Sequence, residues 1–318
     1  MEILRHIPQQ EQSIANAVLT MGSFDGLHLG HKALLERVVH EAKTIGGQSV
    51  VLTFEPHPLK VLAPQRAPRL ILSHKDKVLL LRSYGVDVVM VQNFTADFAR
   101  IEAKDFVDDF LAARLGVRQV WVGKDFGFGR GKTGRVEHLI QWGKEKGFRV
   151  GVVEPVVVDG ERVSSSRIRQ LIESGEVGKA NHFLGRPHFI SGRVGYGRQR
   201  GKALGFPTAN IASRTEVIPA TGIYATFLEV QQCVWPSVTS VGYNPTFGPG
   251  PKTVECHVLD VSRDLYHQPV RLYFAERIRE ERKFFSSELL VAQMHDDVAA
   301  ARKILAGREI PAPMATPQ

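Results

Sequence analysis

Thiol chemistry is scarce in this chain: its 318 residues hold only two cysteines, Cys233 and Cys256. That is too few for a disulfide framework or a four-thiolate zinc site. A reducing compartment is the simplest setting, and the cytoplasm is expected. No uninterrupted apolar run approaches the roughly 20 residues of a membrane span, and the opening MEILRHIPQQEQ lacks the apolar core of a signal peptide. No membrane partner is expected. Acidic excess is also missing, since 41 Lys and Arg against 33 Asp and Glu leave a net charge of +8. Such a charge suits an anionic partner without choosing among nucleotide, nucleic acid and lipid. What is left is ordinary globular composition, 43% hydrophobic and 23% charged, at a length sufficient for two domains.

The densest chemistry lies in residues 17–31, AVLTMGSFDGLHLGH. An apolar strand-forming run (17–21) leads into the turn Gly22, Ser23, Phe24, Asp25, Gly26, and helical spacing begins at His28. A strand, a glycine-rich turn and a helix start together expose backbone N–H groups and a positive dipole end to an anion. His28 and His31, three apart, project from one face toward that turn, where imidazoles can hydrogen-bond a phosphate under attack. Alternatives on the residues alone are helix-surface histidines or half of a metal site.

Downstream, strands are expected at 48–54, 86–91, 119–123 and 149–153, and helices at 75–84, 103–115 and 137–146. This alternation predicts a doubly wound α/β domain with a parallel sheet over about 14–185. The first of these strands ends in TFEPHP, where Pro56 and Pro58 predict a fixed loop. Two glycine strings in 123–134 are excluded. Gly131-Lys132-Thr133 would need a glycine where Phe126 stands, and Gly129, Gly131 and Gly134 do not follow their strand at once, as a dinucleotide fingerprint should. Ser164, Ser165 and Ser166 ahead of Arg167 and Arg169 can cap a helix and offer hydroxyls and a guanidinium to phosphate, or form a solvated helix start.

From about residue 189 glycines become dense, and short alternating runs at 224–230, 237–241, 253–259 and 270–274 predict a small antiparallel β-barrel, with the boundary near 185–188. The stretch 192–210, GRVGYGRQRGKALGFPTAN, reads as a phosphate nest with cations, followed by Thr208 and Asn210 as neutral oxygen ligands suited to Mg²⁺, or as a basic surface loop. In 254–258, Val254, Cys256 and Val258 share one strand face while Glu255 and His257 share the other. Residues 286–305 place Leu289, Leu290, Met294, Val298 and Ile304 on one helical face that packs on the barrel.

Taken whole, GSFDGLHLGH resembles the signature of the HxGH nucleotidyltransferases in their flavin adenylyltransferase form, with Gly22, Phe24, Asp25, Gly26, His28, Gly30 and His31 in place. Gly123, Asp125, Phe126, Phe128 and Gly129 are similar to that group's GxDFxFG motif, and residues 163–169 to its ISSTxIR motif, with Val163 and Ser166 replacing Ile and Thr. Gly192, Val194 and Gly197 followed by GFPTAN, then GYNPTFG (242–248), VECHVLD (254–260), DLY (264–266) and RIREERKF (277–284), resemble riboflavin kinase motifs in the same order.

This resemblance, to bifunctional riboflavin kinases and FAD synthetases, spans about 17–304. It implies an HxGH-type nucleotidyltransferase domain (1–186) and a riboflavin kinase β-barrel domain with a C-terminal helix (187–318). The barrel would convert riboflavin and ATP to FMN and ADP; the first domain would convert FMN and ATP to FAD and diphosphate. On this resemblance His28, His31, Ser165 and Arg169 serve adenylyl transfer and Glu255 is the general base on the ribityl hydroxyl. ATP would be held by Gly22, Ser23, Phe24, Asp25, His28, His31, Gly123, Ser164 and Ser166 at one site. At the other it would be held by Gly192, Gly197, Lys202, Thr208 and Asn210, with Thr208 and Asn210 on Mg²⁺. Flavin contacts fall on Phe54, His57, Pro58, Asp125, Phe126 and Phe128, and in the barrel on Gly205, Phe206, Pro207 and Arg279. Lys202 stands where an arginine is common, so its charge is kept and the bidentate fork lost.

Mg²⁺ is the expected cofactor, ATP the co-substrate, and riboflavin, FMN and FAD the remaining partners, with no tightly bound prosthetic group and no nucleic acid. Two rivals differ in what they predict. An RNA-binding barrel would lose affinity steeply with salt and turn over no flavin. A cytidylyltransferase would use CTP and leave the PTAN stretch without a role.

Overall fold

Parallel strand pairing organises the N-terminal part of the chain. The computed structural model describes residues 1–8, 14–197, 204–243, 252–261 and 263–314. It divides into two compact units, Met1–Arg69 with Lys77–Val163, and Leu70–Asp76 with Ser164–Gln318. Among the described residues no helix is long and apolar enough to cross a membrane.

The first unit contains β1 (Glu2–Arg5), β2 (Val18–Met21), α1 (Leu29–Thr44), β3 (Ser49–Glu55) and α2 (Pro58–Leu62). Next come α3 (His74–Ser83), whose first residues count with the second unit, and β4 (Val88–Asn93). Then follow α4 (Ala103–Asp105), which continues into a π-helical stretch Phe106–Arg114, and β5 (Gln119–Gly123). The hairpin β6 (Gly127–Phe128) and β7 (Gly134–Arg135) precedes α5 (Val136–Lys146), β8 (Arg149–Val153), β9 (Val157–Val158) and β10 (Glu161–Arg162).

Six strands form one sheet in the order β1-β4-β3-β2-β5-β8, every neighbour parallel. The expected doubly wound sheet is therefore present. β3 is buried along its first five residues, as a strand covered on both faces should be. Chain order reverses at β2, with β3 and β4 on one side and β5 and β8 on the other, so the C-terminal end of β2 lies at the topological switch point where open α/β sheets bind ligands. β1 was not anticipated: its four residues are mostly exposed and too short to show a period. The glycines of 129–134 lie between and within the hairpin strands β6 and β7 rather than in a turn that follows β5 at once, which a dinucleotide fingerprint would require.

The second unit begins with α6 (Ser165–Ser174) and α7 (Val177–Leu184). Six antiparallel strands follow: β11 (His188–Gly195), β12 (Ala209–Ser213), β13 (Gly222–Val230), β14 (Cys233–Tyr243), β15 (Lys252–Val258) and β16 (Pro269–Arg279). They close a barrel in the order β11-β12-β15-β14-β13-β16, as expected, and α8 (Ser287–Ala306) follows. Ile190, Val194, Tyr224, Leu228, Cys256, Leu272 and Phe274 belong to its core. α7 is tied to the barrel by Asn181, whose Nδ2 donates to the Phe274 carbonyl at 2.8 Å and whose Oδ1 accepts from the His188 N–H at 2.6 Å.

β11 and β12 overlap the two ends of the stretch 192–210, so residues 192–195 are strand. Gly192 is a strand residue at which a Cβ would stand 2.4 Å from the Ala212 carbonyl oxygen, so glycine is needed there for strand approach.

Candidate active sites

The turn after β2 is strongly bent: Phe24 (φ 49°), Gly26 (φ 82°) and Leu27 (φ 44°) all lie in the left-handed region. Burial holds it, Phe24 and Asp25 being 2% and 7% exposed. His28 is the N-cap of α1 rather than a residue of its first turn. Its Nδ1 accepts from the His31 N–H at 3.3 Å, which leaves the proton of the neutral ring on Nε2 as a donor. The two imidazoles stack with centroids 3.7 Å apart and planes 14° apart. Gly30 permits this, because a Cβ there would press on the His28 ring at 3.2 Å. Burial, then the charges of His28 and Lys77, hold His31 well below the usual histidine range, so it is a neutral ring at neutral pH. The two histidines expected beside the turn are thus together at the switch point.

Around it, TFEPHP departs from the expected loop. Pro58 opens α2, a position where its missing N–H costs nothing, and His57 caps that helix through Nδ1 to the Leu59 N–H at 3.2 Å. Phe54 packs edge-on against Phe94 at 5.6 Å. Phe126 stacks on Phe128 at 5.7 Å, but Phe128 is only 7% exposed and touches Phe106 and Trp142, which makes it a core side chain in this arrangement. Asp125 is ion-paired with Arg162. Gly123 ends β5 with open space where a Cβ would stand.

Ser164 is the N-cap of α6, its Oγ accepting from the Arg167 N–H at 3.3 Å. Ser165, Ser166 and Arg169 lie in the first turns of that helix, which counts with the second unit.

In the barrel the residues expected to act together are together. β12 pairs Asn210 with Glu255 of β15, and the Thr208 hydroxyl stands 3.5 Å from Glu255 Oε2. Gly197 leaves room for Asn210, since a Cβ on it would lie 2.0 Å from Asn210 Nδ2. Gly205 has φ 85°, a conformation only glycine adopts easily. Phe206 sits against His257 at 5.3 Å, and the His257 ring bonds the Pro207 carbonyl through Nδ1 at 2.8 Å. Lys202 lies outside the described residues, as do residues 244–248 of GYNPTFG.

A cavity of about 230 Å³ joins these groups, lined by Phe206, Thr208, Glu255 and Arg279 from the barrel and by Leu290, Met294 and Val298 from α8. The packed face of α8 differs from expectation: Leu289 is 56% exposed, while Asp297, Ala301 and Leu305 are buried. An acid lies in that face because Arg279 meets Asp297 in a two-pronged pair, Nε to Oδ1 and Nη2 to Oδ2 both at 2.7 Å. Arg279 therefore anchors α8 as well as lining the cavity. Asp297→Ala leaves that guanidinium unpaired and is expected to cost about 3 kcal/mol of barrel stability. Urea denaturation checks this, and an unchanged midpoint contradicts it.

Sequence reasoning missed Asp297, hidden in a helix of ordinary composition, and Lys77, a lysine just ahead of the apolar run VLLL in α3. The signal in both cases is a charge at a position that helical period assigns to the packed face.

The sequence matches the family model described as FAD synthetase over residues 10–167 and the one described as riboflavin kinase over residues 184–305. It is 36% identical to the bifunctional riboflavin kinase/FMN adenylyltransferase of Pseudomonas fluorescens, over 96% of this chain and 98% of that one. The protein of the same description from Bacillus subtilis is 33% identical over 92% and 93% of the two chains. Among solved structures, a Streptococcus pneumoniae protein described as a macrolide-efflux protein superposes with a TM-score of 0.86 at 29% identity, over 95% of this chain and 99% of that one.

Proposed function

Because the chain belongs to the family of bifunctional riboflavin kinase/FMN adenylyltransferases, we propose that its two reactions run at the two clusters described above. The FAD synthetase domain is N-terminal and the riboflavin kinase domain C-terminal. The observation that carries the kinase assignment is the meeting of Thr208 and Glu255 at one cavity wall, with Asn210 paired to Glu255 across β12 and β15. For adenylyl transfer it is the stacked, N-capped histidine pair at the sheet's switch point. We take 1–186 and 187–318 as the two functional stretches.

In the barrel, Glu255 accepts the proton of the ribityl primary hydroxyl as its oxygen attacks the γ-phosphorus of ATP. An O–P bond forms to give FMN, and the bond to ADP breaks. Thr208 and Asn210 supply neutral oxygens beside one carboxylate, a donor set that fits Mg²⁺, and these residues would hold the ion. When bound, the ion would neutralise charge on the transferred phosphoryl group. In the first domain, an FMN phosphate oxygen attacks the α-phosphorus of a second ATP and diphosphate leaves. The His28 Nε2–H and the turn's backbone N–H groups hold the developing charge. The likeness of residues 163–169 to the ISSTxIR motif supports a nucleotide-binding role for Ser164, Ser165, Ser166 and Arg169. Phe54, His57, Pro58, Asp125 and Phe126 face the flavin, with Phe128 supporting Phe126 from the core. The enzyme works in the cytoplasm.

Isotope position tests this division. ATP labelled at its γ-phosphorus should transfer label to riboflavin, and ATP labelled at its α-phosphorus should transfer label to FMN. Label from the α position entering riboflavin directly overturns it. CTP in place of ATP should give no FMN adduct.

A further inference from the structure

Behind the histidine pair lies a cation that no reaction step above uses. Lys77, on α3, is 8% exposed, and its Nζ donates to the Ser23 carbonyl at 3.2 Å and to the Thr53 hydroxyl at 3.1 Å. Thr53 Oγ1 in turn stands 3.4 Å from the Ser23 carbonyl, so three groups from α3, β3 and the turn close on one point. Ser23 begins the bend whose next residues, Phe24, Gly26 and Leu27, have positive φ, and that bend delivers His28 to the N-cap of α1.

We propose that Lys77 is a positioning residue for adenylyl transfer: its ammonium pins the Ser23 carbonyl to β3 and places a fixed positive charge behind the turn and the histidine pair. This rests on the assignment of His28 and His31 to that reaction. A buried ammonium is costly unless its charge is answered, and here it is. The carboxylates of Glu55, at the end of β3, and Asp25, in the turn, act on Lys77 and partly offset the burial that lowers its proton affinity. The charge reaches the histidines as well. His31 is faced by His28 from the helix cap, by Lys77 from α3 and by the Phe24 ring edge at 5.2 Å, and its burial first, then these two basic neighbours, disfavour its protonation. One lysine thereby fixes the backbone of the turn, adds to the burial that keeps His31 neutral in its stack with His28, and supplies a positive field where negative charge gathers.

Three variants of the full-length protein test this, each assayed for FMN adenylylation, for riboflavin phosphorylation and for melting temperature. Lys77→Met keeps the aliphatic stem and removes the charge. It is expected to lower kcat for FMN adenylylation about tenfold while riboflavin phosphorylation stays within about twofold. Removing a cation raises the proton affinity of His31, so the limb of the pH–rate profile set by His31 moves to higher pH. Lys77→Arg restores the charge without the same pair of hydrogen bonds, so its limb stays in place while its rate falls. Thr53→Val removes one acceptor and is expected to lower the rate less than Lys77→Met. If Lys77→Met does not fold, Lys77→Arg decides through its rate and unmoved limb. A Lys77→Met profile that superimposes on the parent after scaling, or a fall in both activities together with the melting temperature, overturns the proposal. His31→Ala is run alongside. If that variant still makes FAD at the parent rate, the site assignment fails rather than the role of Lys77.

Discussion

Glu255→Ala is expected to lower riboflavin phosphorylation by about a thousandfold, equivalent to about 4 kcal/mol of transition-state stabilisation. The carboxylate lies beside Asn210 across the β12–β15 pairing and within reach of Thr208, at the wall of the cavity beneath α8. No other described carboxylate lines that cavity except Asp297, which is committed to Arg279. Glu255→Gln keeps the shape and hydrogen-bonding reach but cannot take the proton, so it should be about as inactive as the alanine variant. Removal of a merely structural contact would spare it. The strand context favours a clean result: Val254, Cys256 and Val258 carry the core face, and Glu255 contributes nothing to it. Added FMN should still be converted to FAD at the parent rate, which steady-state assays with each flavin can show.

His31→Ala and His28→Ala are each expected to lower FMN adenylylation by about a hundredfold or more, the scale of removing one preorganised donor from a site of developing negative charge. The two should differ in a second respect. His28 caps α1 through Nδ1, so its loss also costs about 1 kcal/mol of helix stability. Loss of His31 removes a ring that no helix cap depends on. His28→Asn separates these effects, because asparagine caps well but offers no imidazole. Its expected result is a melting temperature near the parent's with adenylylation still lost, read by differential scanning calorimetry and by the rate of FAD formation.

Much of the scaffold was legible in the amino-acid order because the first sheet is parallel and its central strands are buried. The largely apolar runs 119–123 and 149–153, set between helical periods, appear with the same limits as the buried β5 and the partly exposed edge strand β8. The barrel was legible in class but not in full. β11 carries Gly192 where its partner strand approaches closely, and β12 is a five-residue strand with one buried residue. Neither shows the alternation that marks a half-buried strand.

At the sites, residues with distinctive chemistry and spacing, such as His28, His31, Thr208 and Glu255, could be named in advance. Residues that act through tertiary contact could not. Lys77 reads as an ordinary helical lysine until α3 brings it to Ser23 and Thr53, and Asp297 as an ordinary helical acid until Arg279 meets it. Phe126 and Phe128 read alike, yet the second turns into the core beside Trp142. Burial separates them, and burial is a property of the fold.

The claim that two independent sites share this chain is tested most directly by chromatography of the flavins that His31→Ala makes from riboflavin, ATP and Mg²⁺. FMN should accumulate at the parent rate of riboflavin consumption, with FAD absent over the time in which the parent completes its conversion. FAD appearing at the parent rate, or riboflavin left unphosphorylated by a folded variant, would contradict the account.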